Sequence, residues 1–212
     1  LSSDSPAIIE IHYLPSIAYL AAWKYYDHIV LESKENFIKQ TYRNRTRILM
    51  ANKILNLIVP VEKGNRNIPI QEIRIDRNQD WGKKHWRSIQ AAYGNAPFYE
   101  HYAEALRMIL IKNHRFLFDL NLELLESILE ILFIEKNPEF SHEYIREYGE
   151  NINDLRSTIH PKKKISPVVF YKPVEYIQVF GKTFVENLSV IDLIFNEGPN
   201  SLNKIQASGV DE

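Results

Sequence analysis

Apolar and polar positions alternate along the chain in blocks that change period, and the blocks predict a strand-rich first half and a helical second half. Ala7–His12 reads AIIEIH, an apolar run broken by one Glu, which suits a mostly buried first strand. Pro15 follows, and from it Ile17, Tyr19, Leu20, Trp23 and Tyr26 fall on a helical stripe as far as Asp27. Ile29–Leu31, closed by Glu32, is a short second strand, so the opening reads as a βαβ unit whose crossover should be right-handed if the strands are parallel. Glu35–Arg47 is polar and basic. Ile48–Met50 and Leu55–Val59 predict a hairpin turned at Asn52-Lys53 and stopped by Pro60. Glu62–Pro69 reads as a loop, and Glu72–Ile75 alternates like an edge strand.

Beyond Trp81 the period becomes helical. The spacing predicts helices over Lys83–Tyr93, Phe98–Lys112 and Asn121–Phe133, and a short one over His142–Tyr148. Asn151–Pro167 reads as a loop, Glu175–Phe180 as a last strand and Leu188–Phe195 as a short helix stopped at Gly198-Pro199. The polar tail Asn200–Glu212 is expected to fray. The fold class is therefore α/β, a Rossmann-like, mostly parallel sheet with a helical C-terminal half, in one domain over residues 1–212.

Composition narrows the function classes. The 26 basic and 27 acidic residues nearly cancel, so no global field draws the chain to nucleic acid or a membrane surface. The Lys162-Lys163-Lys164 triplet is too short for a nucleic-acid footprint. Cysteine is absent, which excludes disulfides, thiolate metal sites and a cysteine nucleophile, and fits a reducing compartment. Leu1–Pro6 lacks the charged and apolar regions of a signal peptide, and the longest apolar run, Leu124–Ile134, is broken by Glu126 and Glu130. The expectation is a cytoplasmic protein without membrane insertion.

Candidate chemistry lies in three places. His12 ends the first strand just before a helix, where open α/β sheets bind ligands and helix N-termini offer free N–H groups. It reads as a proton-handling residue or as a structural histidine. Lys39-Gln40-Thr41-Tyr42-Arg43-Asn44-Arg45 packs three cations, two amides and two hydroxyls into seven positions. Arginine forks match carboxylate and phosphate, so the run is either an anion site or a solvated basic loop. Trp81, Lys84, His85, Trp86, Ser88 and Tyr93 form the third cluster, a stacking platform beside a proton donor or a helix–sheet contact. Asp154 and His160 could pair as orienter and base. No zinc, calcium, Walker A or glycine-rich phosphate motif is present, so anion binding must come from side chains and helix ends.

Several stretches together resemble the WbqC-like family. They are Tyr13-Leu14-Pro15, the Lys39–Arg45 run, Leu57–Val61, Trp81 with Lys84-His85-Trp86, Tyr93 with Ala96-Pro97-Phe98, Tyr176–Phe180 and Leu188–Pro199. The resemblance implies a transferase in surface-polysaccharide (O-antigen or lipopolysaccharide) biosynthesis, moving an aminoacyl (glycyl) group onto an amino sugar. Where relatives carry a His-Gln-Pro-x-Tyr-Leu-Pro-Trp turn, this chain has His12 directly before Tyr13, and Ser16 in place of the tryptophan.

The leading expectation is an enzyme on a small anionic substrate such as a nucleotide-linked sugar. His12 or His85 would handle protons, Lys39, Arg43 and Arg45 would hold phosphate or carboxylate, Gln40 and Asn44 would orient it, and Tyr13, Tyr42 and Trp86 would line the site. The alternatives are a nucleotide-binding ligase or nucleotidyl transferase, and a non-catalytic scaffold of a biosynthetic complex.

Overall fold

The computed structural model describes residues 3–62, 67–163, 168–181 and 183–209; Lys164 of the basic triplet and the interior of the 62–69 loop lie outside them. The first βαβ unit forms as the pattern predicts. β1 (Ala7–Glu10) is buried at every position, α1 spans Ile17–Tyr25, and β2 (Ile29–Glu32) pairs parallel with β1. α1 is apolar almost all round, and Ile17 to Trp23 are all buried, the behaviour of a helix enclosed on every side. It packs against α5 (Val190–Glu197) and α6 (Ser201–Ala207).

The sheet is completed by two strands that periodicity did not announce. β5 (Glu139–Phe140) joins the outer side of β2 and β6 (Asn153–Asp154) joins β1, giving the order β5-β2-β1-β6 with parallel pairing throughout. Each has two residues, so neither shows a period, and β6 is polar. The segment expected as a loop over Asn151–Pro167 thus contributes a strand, anchored by Asn153 N–H to Pro6 O at 2.8 Å and Leu155 N–H to Ile8 O at 2.9 Å.

A second, two-stranded antiparallel sheet pairs β3 (Arg45–Met50) with β4 (Lys53–Ile58). Met50 faces Lys53, so the turn is Ala51-Asn52, one residue earlier than predicted, and β3 takes in the end of the basic run. Glu72–Ile75 is not an edge strand. Ile70 and Ile73 both point inward, a three-residue spacing that makes Ile70–Glu72 a 3-10 turn, and only single bridges follow at Arg74 and Ile75.

The helices α2 (Trp81–Tyr93), α3 (Tyr99–Ile111) and α4 (Leu117–Ile131) pack in sequence, with α4 starting a turn earlier than its predicted range. His142–Tyr148 is not helical; its Tyr144 and Tyr148 rings lie 5.2 and 4.9 Å from the Arg156 guanidinium instead. Glu175–Phe180 forms no strand among the described residues; the Gln178 side chain instead bonds the Val185 backbone, donating to its carbonyl at 3.0 Å and accepting from its N–H at 2.9 Å. After Asn200 the chain does not fray at once: α6 buries Ser201 and Ile205.

Candidate functional site

The carboxyl ends of β1 and β2 carry a buried polar centre. Glu10 and Glu32 are register partners at the last position of each strand. The Glu10 carboxylate accepts the Ser157 backbone N–H at 3.1 and 3.0 Å on its two oxygens, and Arg43 Nη1 at 3.3 Å. The Arg43 fork closes on Glu35, Nε donating at 2.7 Å and Nη2 at 2.6 Å. Arg43 is 0% exposed, and Asn121 Nδ2 on α4 donates to its carbonyl at 2.8 Å. Burial works to raise the Glu10 carboxyl, but His12 and Arg43 outweigh it and hold the group down to about 2. At Glu35 burial wins over Arg43 and carries the carboxyl up to about 6.

His12 lies two residues beyond Glu10, 1% exposed. Its ring centroid is 4.5 Å from that of Tyr19 and 5.3 Å from that of Tyr42. Nε2 stands 3.3 Å from Glu10 Oε1, while neither ring nitrogen reaches hydrogen-bond geometry with a described residue. Burial lowers its pKa against the pull of Glu10, so the imidazole is neutral at pH 7.

The N-terminus of α1, expected to offer free N–H groups, is already filled. Ile17 N–H donates to Leu188 O at 3.1 Å and Ala18 N–H to Asn187 Oδ1 at 3.0 Å. Leu14 (φ 41°) and Asn187 (50°), which flank this terminus, are non-glycine residues with positive φ, as are Gln40 (63°) and Ser157 (59°). Such conformations cost of order 1 kcal/mol or more each, and they persist where surrounding contacts impose them. Leu14, for instance, is held by Thr46 Oγ1 and Ser189 Oγ donating to its carbonyl at 2.7 and 3.0 Å.

The predicted site residues divide into separate groups. His12, Tyr42 and Arg43 meet at the buried centre. Tyr13 turns to α2, where its hydroxyl is 2.8 Å from His85 Nδ1 and Trp81 closes the group with its ring 5.3 Å from His85. Burial drives His85 down to about 4. His85 is thus not brought to His12, and its surroundings match the helix-contact alternative. Trp86 stacks on Tyr99 (centroids 6.1 Å apart, rings inclined 26°) along a groove of about 660 Å³ between α2 and α3. Lys39 and Gln40 are exposed, and Gln40 Oε1 accepts Lys162 Nζ. Asn44 is inward, donating to Val59 O at 2.9 Å. Arg45 is half-buried, and its Nε has no hydrogen-bond partner among the described residues. The basic run is therefore not one cationic surface: Arg43 is spent on two carboxylates. Nor do Asp154 and His160 pair; Asp154 accepts Arg156, and His160 Nδ1 accepts the Lys162 N–H at 3.2 Å.

Residues 11–168 and 162–204 match the WbqC-like protein family. The chain belongs to that family. A relative from Mycobacterium tuberculosis, named "Uncharacterized protein Rv1507c", is 31% identical over 140 residues, 65% of this chain and 60% of its own length. No solved structure matches.

Within this WbqC-like chain, two of the family-like stretches of the C-terminal half meet in a second buried cluster. Tyr176 O–H donates to Asp192 Oδ2 at 2.5 Å and Gln178 Nε2 donates to the same oxygen at 3.1 Å. Asp192 is fully buried, and burial raises its carboxyl. Sequence reasoning also missed Glu10, Glu35 and Ser157 as members of the main site. The available signal was a lone acid, Glu10, inside an otherwise apolar strand, since a buried charge demands a partner.

Proposed function

We propose that this WbqC-like protein is a transferase of surface-polysaccharide (O-antigen or lipopolysaccharide) biosynthesis, moving a glycyl or related aminoacyl group onto the amine of a nucleotide-linked amino sugar. The observation that carries the reading is His12, a buried imidazole at the carboxyl end of β1 without a hydrogen-bond partner among the described residues. That is the Rossmann-like position for a ligand, outside the carboxyl ends of parallel strands. A neutral imidazole there accepts a proton. As the amine nitrogen bonds to the acyl carbon, its proton passes to His12, the bond from acyl carbon to donor breaks, and the proton leaves with the donor fragment. Lys39, Arg45 and Lys162 supply cations near the run for the phosphates, with Gln40 beside Lys162 and Tyr42 as a wall. Arg43 supports the floor of the site rather than touching the ligand.

The test is a thermal-shift screen against nucleotide sugars, amino acids and ATP with magnesium, in wild type, Lys39→Ala and His12→Gln. A shift with a nucleotide sugar that weakens in Lys39→Ala supports the reading, since a ligand of the native state raises its stability. In cells, His12→Gln should abolish the surface-glycan modification. A shift with ATP alone transfers the site to the ligase or nucleotidyl-transferase class. No shift at all, with the glycan intact in His12→Gln cells, sinks the enzyme reading in favour of a scaffold.

A further inference from the structure

We infer that Glu10 is the positioning residue of His12: its carboxylate faces Nε2 and selects the Nε2–H tautomer, so that Nδ1 is the bare nitrogen left to take the proton of the incoming nucleophile. The chemistry rests on the transferase reading; the tautomer does not.

Three observations support it. Both ring nitrogens are buried outside hydrogen-bond geometry among the described residues, but Nε2 is the one that faces a carboxylate, 3.3 Å from Glu10 Oε1, and Nδ1 has no ion-pair neighbour there. The ring is confined between aromatic neighbours, Tyr19 at 4.5 Å and Tyr42 at 5.3 Å, which limits its rotation. Glu10 is itself fixed independently of His12, by the Ser157 N–H on both oxygens and by Arg43 Nη1. Ser157, which supplies that N–H, has a φ of 59°, so backbone strain is retained beside the carboxylate.

A neutral imidazole has one N–H and one lone pair, and the partner of one nitrogen decides what the other can do. A carboxylate can only accept, so it selects Nε2–H and leaves the lone pair on Nδ1. When Nδ1 takes the nucleophile's proton, the imidazolium stands beside a carboxylate that remains ionised down to a pH of about 2. The opposing charge is Arg43, which is shared with Glu35. Tyr19, Glu35 and His160 also feel both Glu10 and Arg43.

The experiment is a long-range proton–nitrogen correlation spectrum of the full chain labelled with ¹⁵N-histidine, His12 being the ring whose signals vanish in His12→Gln. The expected wild-type pattern is a protonated Nε2 and a bare Nδ1 at pH 7. In Glu10→Gln, whose uncharged amide can donate as well as accept, the two tautomers should mix. If Glu10→Gln does not fold, the wild-type spectrum still decides. A wild-type ring protonated at Nδ1 overturns the assignment, as does a Glu10→Gln spectrum unchanged from wild type. The two readings fail separately. Nε2–H in wild type with intact glycan in His12→Gln cells keeps the pair and removes the transferase; Nδ1–H with glycan lost does the reverse.

Discussion

Glu10 and Glu32 stand opposite each other at the ends of adjacent parallel strands, and each is satisfied by a different arginine. Glu10 takes Arg43, while Glu32 takes Arg156 Nη1 at 3.2 Å together with Ser141 Oγ at 2.7 Å. Adjacent carboxylates repel, so this division is what allows both strands to end in an acid. Removing Arg43 leaves Glu10 and Glu35 buried without their cation. Arg43→Met should cost about 3–5 kcal/mol in urea unfolding, the range for breaking a buried pair. Arg43→Lys should recover little, because an ammonium cannot reproduce the fork. A loss below about 1 kcal/mol in Arg43→Met would mean the charges are not buried together.

Arg156 has a structural task at longer range. Besides Glu32 and Asp154 it donates to Ile145 O at 2.8 Å and Arg146 O at 3.2 Å, and it lies against the Tyr144 and Tyr148 rings. Arg156→Ala should loosen residues 142–150, read as faster trypsin cleavage after Arg146, with global stability falling by about 1–3 kcal/mol. Unchanged cleavage would show that other contacts hold the segment.

Acid stability should carry the signature of His85. Its folded pKa is depressed to about 4 by burial, from an ordinary value of 6.5. The native state therefore binds fewer protons than the unfolded chain between those values, and stability is lost as pH falls from 6.5 towards 4, by up to about 3 kcal/mol. Glu35, raised to about 6, acts in the opposite sense: its contribution is full below its ordinary value of 4.5 and lost as pH rises through 6. The His85 part is isolated by comparing wild type with His85→Gln, whose stability should decline less steeply over this window. Parallel pH profiles would refute the assignment.

Gly198 is constrained by both backbone and neighbours. Its φ is +52°, and a Cβ added there would lie 2.4 Å from Phe98 Cδ1. Gly198→Ala should lower stability by about 2 kcal/mol or more. Among the described residues nothing lies within 4 Å of a Cβ added at Gly149, so Gly149→Ala should stay within about 0.5 kcal/mol. Equal melting temperatures for the two variants would show that the Phe98 contact relaxes freely.

The sequence by itself determined the elements whose burial repeats locally. β1, α1, β2, α2, α3 and α5 were legible because each carries a local apolar run or stripe long enough to read without its partners. The family was legible too, since its stretches are contiguous. Only the tertiary structure decided β5 and β6, which have two residues each and exist through pairing with β2 and β1. It also decided the fate of the cations between Lys39 and Arg45. Arg43 reads as one more basic residue in a polar run, yet its partners are Glu35, 8 positions away, and Glu10, 33 positions away. Hydrophobic period is a property of neighbours in the chain, whereas the partner of a buried charge is a neighbour in space.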